Sequence, residues 1–435
     1  MLVLLSMHPL SLRLFLLSSS LVITTVACSD PDGPSGNPAT RLTVTPAEST
    51  FSLGRRVSFE ATVYDTRDTV VAGAPIRWSS SAPAIASVSD SGVVTALTEG
   101  RATIVATSGA LRAEAQVRVT STRLTAFFEH KYCAIRSDDR VFCNNLEAFS
   151  AGPKIPVPMN VVLVSLAVGD SHACGLTSSG EAYCWGSNAF LQLGVPNAAA
   201  DSALRVATTE RFRALSAGIL HTCGITLDGR AFCWGSDVWG NGTGGPAPTP
   251  TPVATQQTFT AIGTGFYRTC ALTTGGEVYC WGSRPELLDA SGQRFRTVSI
   301  AVHTQCGVTT TNKVLCGEGR WNETPTSNLA VPLVSVTPSN FATSCGLTAD
   351  GSAYCWGNNY WGQLGNGQKT PYDQVTAATA VLGDLRFKSL HVPGAFTCGL
   401  SLDGRTYCWG SNFTSATVDD APNTSTRPVQ VLLIP

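Results

Sequence analysis

Fourteen of the fifteen cysteines in this 435-residue chain form seven pairs with one common spacing: Cys133 and Cys143, Cys174 and Cys184, Cys223 and Cys233, Cys270 and Cys280, Cys306 and Cys316, Cys345 and Cys355, Cys398 and Cys408. The second member always follows the first by ten positions, which marks an internal repeat. The copy running from Cys223 to Cys233 shows what the spacing means physically. A three-residue hairpin loop at Leu227, Asp228 and Gly229 takes a type I turn followed by one left-handed residue, the place of Gly229. Thr226 then faces Arg230, Ile225 faces Ala231, Gly224 faces Phe232, and Cys223 faces Cys233 on one side of the sheet. Directly opposed Cβ atoms lie about 4.5–5.5 Å apart, within small adjustment of disulfide geometry. The residue six positions after each first cysteine must therefore accept positive φ. Those residues are Asp139, Gly180, Gly229, Gly276, Asn312, Gly351 and Gly404, all of types that reach that region readily. Zinc ligation competes poorly, because the pairs lack both a short Cys-x-x-Cys knuckle and a regular histidine partner. No metal and no cofactor are expected.

Charged residues make up only 14% of the chain and the formal net charge is -1, so no basic footprint for nucleic acid is visible. No long stretch carries apolar residues at helical spacing, and the chain reads as all-β with two or three units. A catalytic constellation is also missing: there is no His-Glu-x-x-His, Gly-x-Ser-x-Gly or phosphate-cradling glycine loop. Gly240 to Gly244 is glycine-rich but Pro-flanked, with no helix to follow. His172 and His221 each stand two residues before a cysteine, yet the equivalent positions hold Arg268, Thr343 and Phe396, so the position reads as structural. The chain is expected not to be an enzyme.

At the N-terminus, Leu14 to Ala27 is strongly apolar, follows Arg13 and ends in Thr25-Val26-Ala27-Cys28. This resembles a bacterial lipoprotein signal over residues 1–28, which implies lipidation of Cys28 and a membrane anchor; an ordinary cleaved signal is the alternative. The run is too short to span a bilayer comfortably, and either reading exports the chain to a compartment where disulfides persist. The expected location is the bacterial cell envelope, periplasm-facing or at the cell surface. Residues 29–40 are polar and rich in Pro and Gly, and read as a flexible tether.

From Arg41 to Thr120 apolar and polar residues alternate in short runs, the pattern of a small antiparallel sandwich. The segments Ile76-Arg77-Trp78-Ser79-Ser80-Ser81, Ile85-Ala86-Ser87-Val88-Ser89, Gly92-Val93-Val94-Thr95-Ala96 and Glu99-Gly100-Arg101-Ala102-Thr103-Ile104-Val105-Ala106 resemble the bacterial Ig-like group 2 domain. Residues 41–120 are assigned to it. Trp78 is expected to plug its core, and the resemblance implies a spacer or adhesive module.

Around the cysteine hairpins more sequence is shared. Phe212 to Gly218, Phe259 to Gly263 and Phe387 to Leu390 precede hairpins, and Cys-Trp-Gly recurs at Cys184, Cys233, Cys280, Cys355 and Cys408. Gln192-Leu193-Gly194 and Gln363-Leu364-Gly365 follow two of them. These features resemble the regulator of chromosome condensation repeat, whose seven copies imply a seven-bladed β-propeller over residues 122–435. Asn144 and Gly317 stand where Trp is expected, so the first and fifth copies lose an aromatic packing element. The first copy lacks a strand like Ile155-Pro156-Val157-Pro158 ahead of it. The last residues, Arg427 to Ile434, are accordingly expected to complete the first blade and lock the ring.

Spacing between copies varies, and variable loops on a rigid ring are where binding usually resides. The candidate recognition loops are Val195 to Val206, Asp237 to Pro252, Arg284 to Gly292, Asn358 to Asp373 and Asn412 to Asn423. Their neighbourhood supplies the candidate hot-spot aromatics Phe190, Trp239, Tyr360 and Trp361; covering the ends of their own blades is the alternative role. The expected function is that of an exported, disulfide-stapled interaction platform for an unknown protein or polysaccharide partner, acting as a monomer. Inhibition of a secreted or periplasmic enzyme is the second reading, and guanine-nucleotide exchange, as in the eukaryotic namesake of the repeat, the third.

Overall fold

The computed structural model describes residues 38–128, 131–144, 160–196, 200–236, 245–265, 268–282, 286–288, 292–301, 304–317, 322–324, 332–339, 342–371, 376–411 and 424–432. The signal-like segment, Cys28 and most of the tether lie outside the described residues. Among those residues no helix is long and apolar enough to cross a membrane. Every described element is a strand.

Residues 39–120 form an Ig-like sandwich. One sheet runs in the order Glu48–Ser52, Leu111–Thr120, Gly100–Ser108, Arg77–Ser80. Arg56–Ser58, Val93–Ala96 and Ala86–Val88 make a second sheet, and Ala39–Thr45 pairs with Glu60–Asp65. The alternation read from the sequence places Val44, Phe59, Val63, Val94, Ile104, Ala106, Ala115 and Val117 in one buried cluster. Trp78 packs against that cluster from a half-buried position rather than filling its centre.

Beyond Thr120 come seven consecutive antiparallel sheets, each built on one cysteine hairpin. In the third sheet the strands are Phe212–Ala217, His221–Thr226, Ala231–Gly235 and Ala247–Pro252, in that spatial order. The hairpin register pairs Cys223 with Cys233, Gly224 with Phe232 and Ile225 with Ala231. All seven cysteine pairs are directly opposed and bonded, with Cα atoms 4.0–4.1 Å apart. All seven turn residues have positive φ, from 66° at Asp139 and Asn312 to 94° at Gly229. At Asp139 and Asn312 a residue with a Cβ adopts that conformation, which Asn and Asp tolerate better than other side chains.

Successive sheets are joined by a repeated hydrogen bond. The amide opening the first strand of one sheet donates to the carbonyl of the turn glycine before it: Phe212 to Gly180 (2.8 Å), Phe259 to Gly229 (2.9 Å), Phe295 to Gly276 (2.8 Å) and Phe387 to Gly351 (2.8 Å). Thr122, which opens the first sheet, makes the same bond to Gly404 of the seventh (3.1 Å). The first and seventh sheets also share a core, with Tyr132, Ala134 and Phe142 packed on Phe396, Cys398, Cys408 and Val431.

The tryptophan after the second cysteine belongs energetically to the sheet before its own. Trp185 packs on the Cys133–Cys143 bridge, Trp234 on Cys174–Cys184, Trp281 on Cys223–Cys233, and Trp409 on Cys345–Cys355. Trp356 packs with Cys306 in the same way. The indole Nε1 of Trp185 and that of Trp281 point at the sulfurs of Cys143 and Cys233 at 3.3 and 3.4 Å. The consequence of Asn144 and Gly317 therefore falls on the junctions between sheets seven and one and between sheets four and five.

Two expectations are corrected. The C-terminal strand, Thr424–Val431, pairs with Thr406–Ser411 of the seventh sheet and not with the first. The reason is the phase of the repeat. Each sheet begins at its first strand and ends with an outer strand that follows its own hairpin, as Ala200–Arg205 and Ala247–Pro252 do. The described first sheet has three strands, Thr122–Phe128, Lys131–Arg136 and Val141–Asn144; Ile155 to Pro158 lies outside the described residues. Second, three of the supposed recognition loops contain these outer strands: Ala200–Arg205, Ala247–Pro252 and Glu286–Leu288.

Candidate binding face

Chain direction sorts the sheets into two ends. First strands run away from the hairpin turns, so the turns at Gly180 or Gly229 lie at one end. The connections from third to outer strand lie at the other, together with the C-terminal ends of the first strands.

At the hairpin end the charges are paired among themselves. Arg211 meets Glu181 at 3.0 Å, Arg294 meets Glu277 at 2.8 Å, Arg386 meets Asp350 at 3.1 Å, and Arg230 meets Glu210 at 2.9 Å. Such exposed pairs contribute little to stability, but they leave this end polar. Leu227 and Leu402 are isolated exposed tips there, of the kind any surface tolerates.

The loop end differs. A cavity of about 200 Å3 opens where the first strands of sheets one, four, five, six and seven end. Phe127, Phe128, Ile300, Pro338, Val392 and Pro393 supply its apolar wall, and Thr264, Ser299, Thr337 and His391 its polar groups. Among the described residues its lining holds no Asp, Glu, Lys or Arg. His391 keeps partial access to the cavity, while its ring stacks on Phe127 at 4.6 Å and its Nε2 lies 3.4 Å from Thr125 Oγ1. Enclosure by protein atoms pushes its pKa down to about 4, so it is neutral at pH 7. These lining residues come from five separate repeats, and nothing in the linear sequence marked them as neighbours.

The loop aromatics stand at this same end. Phe190 is 48% exposed, Tyr360 44% and Trp361 41%. Tyr360 and Trp361 meet edge to face, with ring centroids 4.8 Å apart. Their loops have one architecture. Asn188 Oδ1 accepts from the Leu193 amide and Gln192 Oε1 from the Phe190 amide; Asn359 and Gln363 repeat these bonds to Leu364 and Trp361. The next sheet then clamps each loop. Trp234 and Thr222 both donate to the Gln192 carbonyl, and Trp409 and Thr397 to that of Gln363, all at 2.8–2.9 Å. Phe190 and Trp361 are therefore equivalent side chains held outward on stiff loops of the second and sixth sheets. Trp239 and the segment Asn412 to Asn423 lie outside the described residues.

His172 and His221 are fully buried between sheets. His172 Nε2 meets Thr222 Oγ1 at 2.7 Å, and His221 Nε2 meets Thr269 Oγ1 at 2.9 Å. Thr222 spends its own proton on Gln192, so His172 must be the donor, protonated on Nε2. Burial pushes the pKa values down to about 3 and about 4, with the charge of His221 a further cause at His172. Both are neutral wedges, not acid–base groups. Among the described residues no group of three or more His, Cys, Asp or Glu side chains is placed to hold a metal ion.

Comparison with known proteins agrees with this architecture. The bacterial Ig-like domain (group 2) family matches residues 38–120. The regulator of chromosome condensation (RCC1) repeat matches residues 163–192, 212–243 and 259–283 in one description and 350–379 in another. No curated protein matches the chain. Among solved structures, that of Kap60 bound to yeast RCC1 (Prp20) aligns with a TM-score of 0.55 at 16% identity, over 64% of this chain and 78% of that one. Human WBSCR16 aligns with a TM-score of 0.54 at 14% identity, over 64% and 84%. At such identities the likeness is one of fold alone.

Proposed function

We propose that this chain, an Ig-like domain followed by RCC1 repeats, is an exported binding module of the bacterial cell envelope whose seven sheets close into a propeller and whose loop end docks a partner protein. The bond from Thr122 to Gly404 supports the ring, because it repeats at the seventh-to-first junction the contact that joins the other sheets. Seven bonded hairpins support export, since disulfides persist outside the reducing cytoplasm. The signal-like segment ending at Cys28 agrees with them.

One observation carries the choice of face: a cavity whose described lining is uncharged and three half-exposed aromatic rings lie at one end of the sheets, while charged side chains at the other end pair with one another. Exposed aromatic side chains on stiff loops lose little entropy on binding and dominate interface energetics. The cavity is smaller than the roughly 300–1,000 Å3 of small-molecule sites, so it suits one apolar anchor side chain of a macromolecule. The Ig-like domain meets the seventh sheet at the hairpin end, through Arg405 and Leu97, which leaves the loop end facing away from it. The chain acts by binding and carries out no catalysis in this reading.

The test is affinity capture on the full-length protein from envelope and culture extracts, with a Phe190→Ala/Trp361→Ala variant alongside. A partner retained by the parent protein and lost by the correctly folded variant is the expected result. Equal capture by both would remove the loop end from consideration.

A further inference from the structure

We infer that the Ig-like domain is the clasp of the ring, holding shut the junction between the seventh and first sheets. This rests on the ring reading above. That junction lacks two supports. Asn144 stands where five other sheets present a tryptophan to the sheet before them. The C-terminal strand stays within the seventh sheet instead of crossing into the first. Among the described residues, ring closure rests on side-chain packing, the contact of His391 with Thr125 and the bond from Thr122 to Gly404.

The Ig-like domain touches both sides of the seam. Its last strand, Leu111–Thr120, is separated from the first strand of the first sheet, Thr122–Phe128, by Ser121 alone. Ser121 is fixed in place. Its hydroxyl donates to Glu99 of the sandwich (2.7 Å), its carbonyl accepts from the Ser137 amide (2.9 Å), and a Cβ on Gly404 would come within 2.8 Å of its own. From the seventh sheet, Arg405 Nη2 donates to the Leu97 carbonyl (3.2 Å) and Gln430 Nε2 to the Leu53 carbonyl (3.4 Å). The Gln430 amide lies over Gly54, whose φ of 87° and missing Cβ make room for it. One rigid body is therefore continuous with sheet one and bonded to the turn and outer strand of sheet seven. Opening the seam requires breaking that contact as well.

The junction between sheets four and five provides an internal comparison, since Gly317 also stands in place of its tryptophan and, among the described residues, its core holds no residue of the Ig-like domain. The experiment is amide hydrogen exchange on the full-length protein and two full-length variants. One carries a flexible Gly/Ser insertion of about ten residues between Ser121 and Thr122. The other is Arg405→Ala/Gln430→Ala, with the linker intact. Exchange at least about tenfold faster in 122–128 and 396–411, with the third sheet unchanged, is expected in both variants. Seam peptides that are slow in the parent and equally slow in both variants overturn the clasp, as does uniform acceleration of all sheets. The ring reading fails separately, if the seam of the unmodified protein already exchanges like an unpaired edge.

Discussion

The buried histidines show how a polar residue can be structural at neutral pH and a liability in acid. An unfolded histidine has a pKa of about 6.5, whereas those of His172, His221 and His391 are held at about 3, 4 and 4. Between those values the unfolded chain binds protons that the folded chain refuses, so stability rises with pH there. The contribution is complete above pH 6.5 and erodes as the pH falls toward 4. Calorimetry is expected to show a melting temperature that drops from pH 7 to pH 5. Because Thr343 occupies the equivalent position in the sixth sheet and bonds to the Asn358 carbonyl at 3.0 Å, His172→Thr/His221→Thr is expected to fold and to flatten that drop. An unchanged pH slope in the variant would assign the acid sensitivity to other groups.

At the scale of the element, the hairpin was the most legible part of the molecule. Pairing of Cys223 with Cys233 depends on three turn residues and a period of two, all within eleven consecutive positions, and the positive φ at Asp139 and Asn312 follows from the same local geometry. Outer strands were legible only in part: Arg427 to Ile434 was read as a strand, whereas three others lay inside segments read as loops. Ala200–Arg205 and Thr376–Ala380 share no residue pattern, and each is separated from its hairpin by a long connection. The phase error at the C-terminus has a related cause: a tandem repeat has no marked beginning, and Arg427 to Val431 looks the same whichever sheet it joins. Only the entry of the chain from Ser121 directly into a first strand decides the matter. The cavity, assembled from Phe128, Ile300, Val392 and other strand ends far apart in sequence, carried no linear signal at all.

Two element-scale outcomes follow from the disulfide and tryptophan packing. Replacing Cys223 and Cys233 together by Ala removes a short loop constraint, and chemical denaturation is expected to report a loss of about 2–3 kcal/mol. Trp281→Ala, which empties a site against that same bridge, is expected to cost about 3–5 kcal/mol. Because both changes act on one contact, the triple variant should lose less than the sum. Strict additivity would mean that the indole and the bridge stabilise the protein independently.

On the scale of the whole molecule, the proposed ring combines a repeat that folds locally with a closure that does not. Each hairpin can form from nearby residues, but the seam between Thr122 and Gly404 joins positions far apart in sequence, and closing so long a loop is costly. In the proposed reading, the Ig-like domain placed across that seam supports the closure, and export to an oxidising compartment keeps the hairpins bonded. The most direct test is non-reducing peptide mapping of the protein isolated from its native cells with free thiols blocked. Seven bridges, each joining cysteines ten positions apart within one hairpin, with all fourteen thiols consumed, is the predicted result. Free thiols in the hairpins, or bridges running between different sheets, would contradict it.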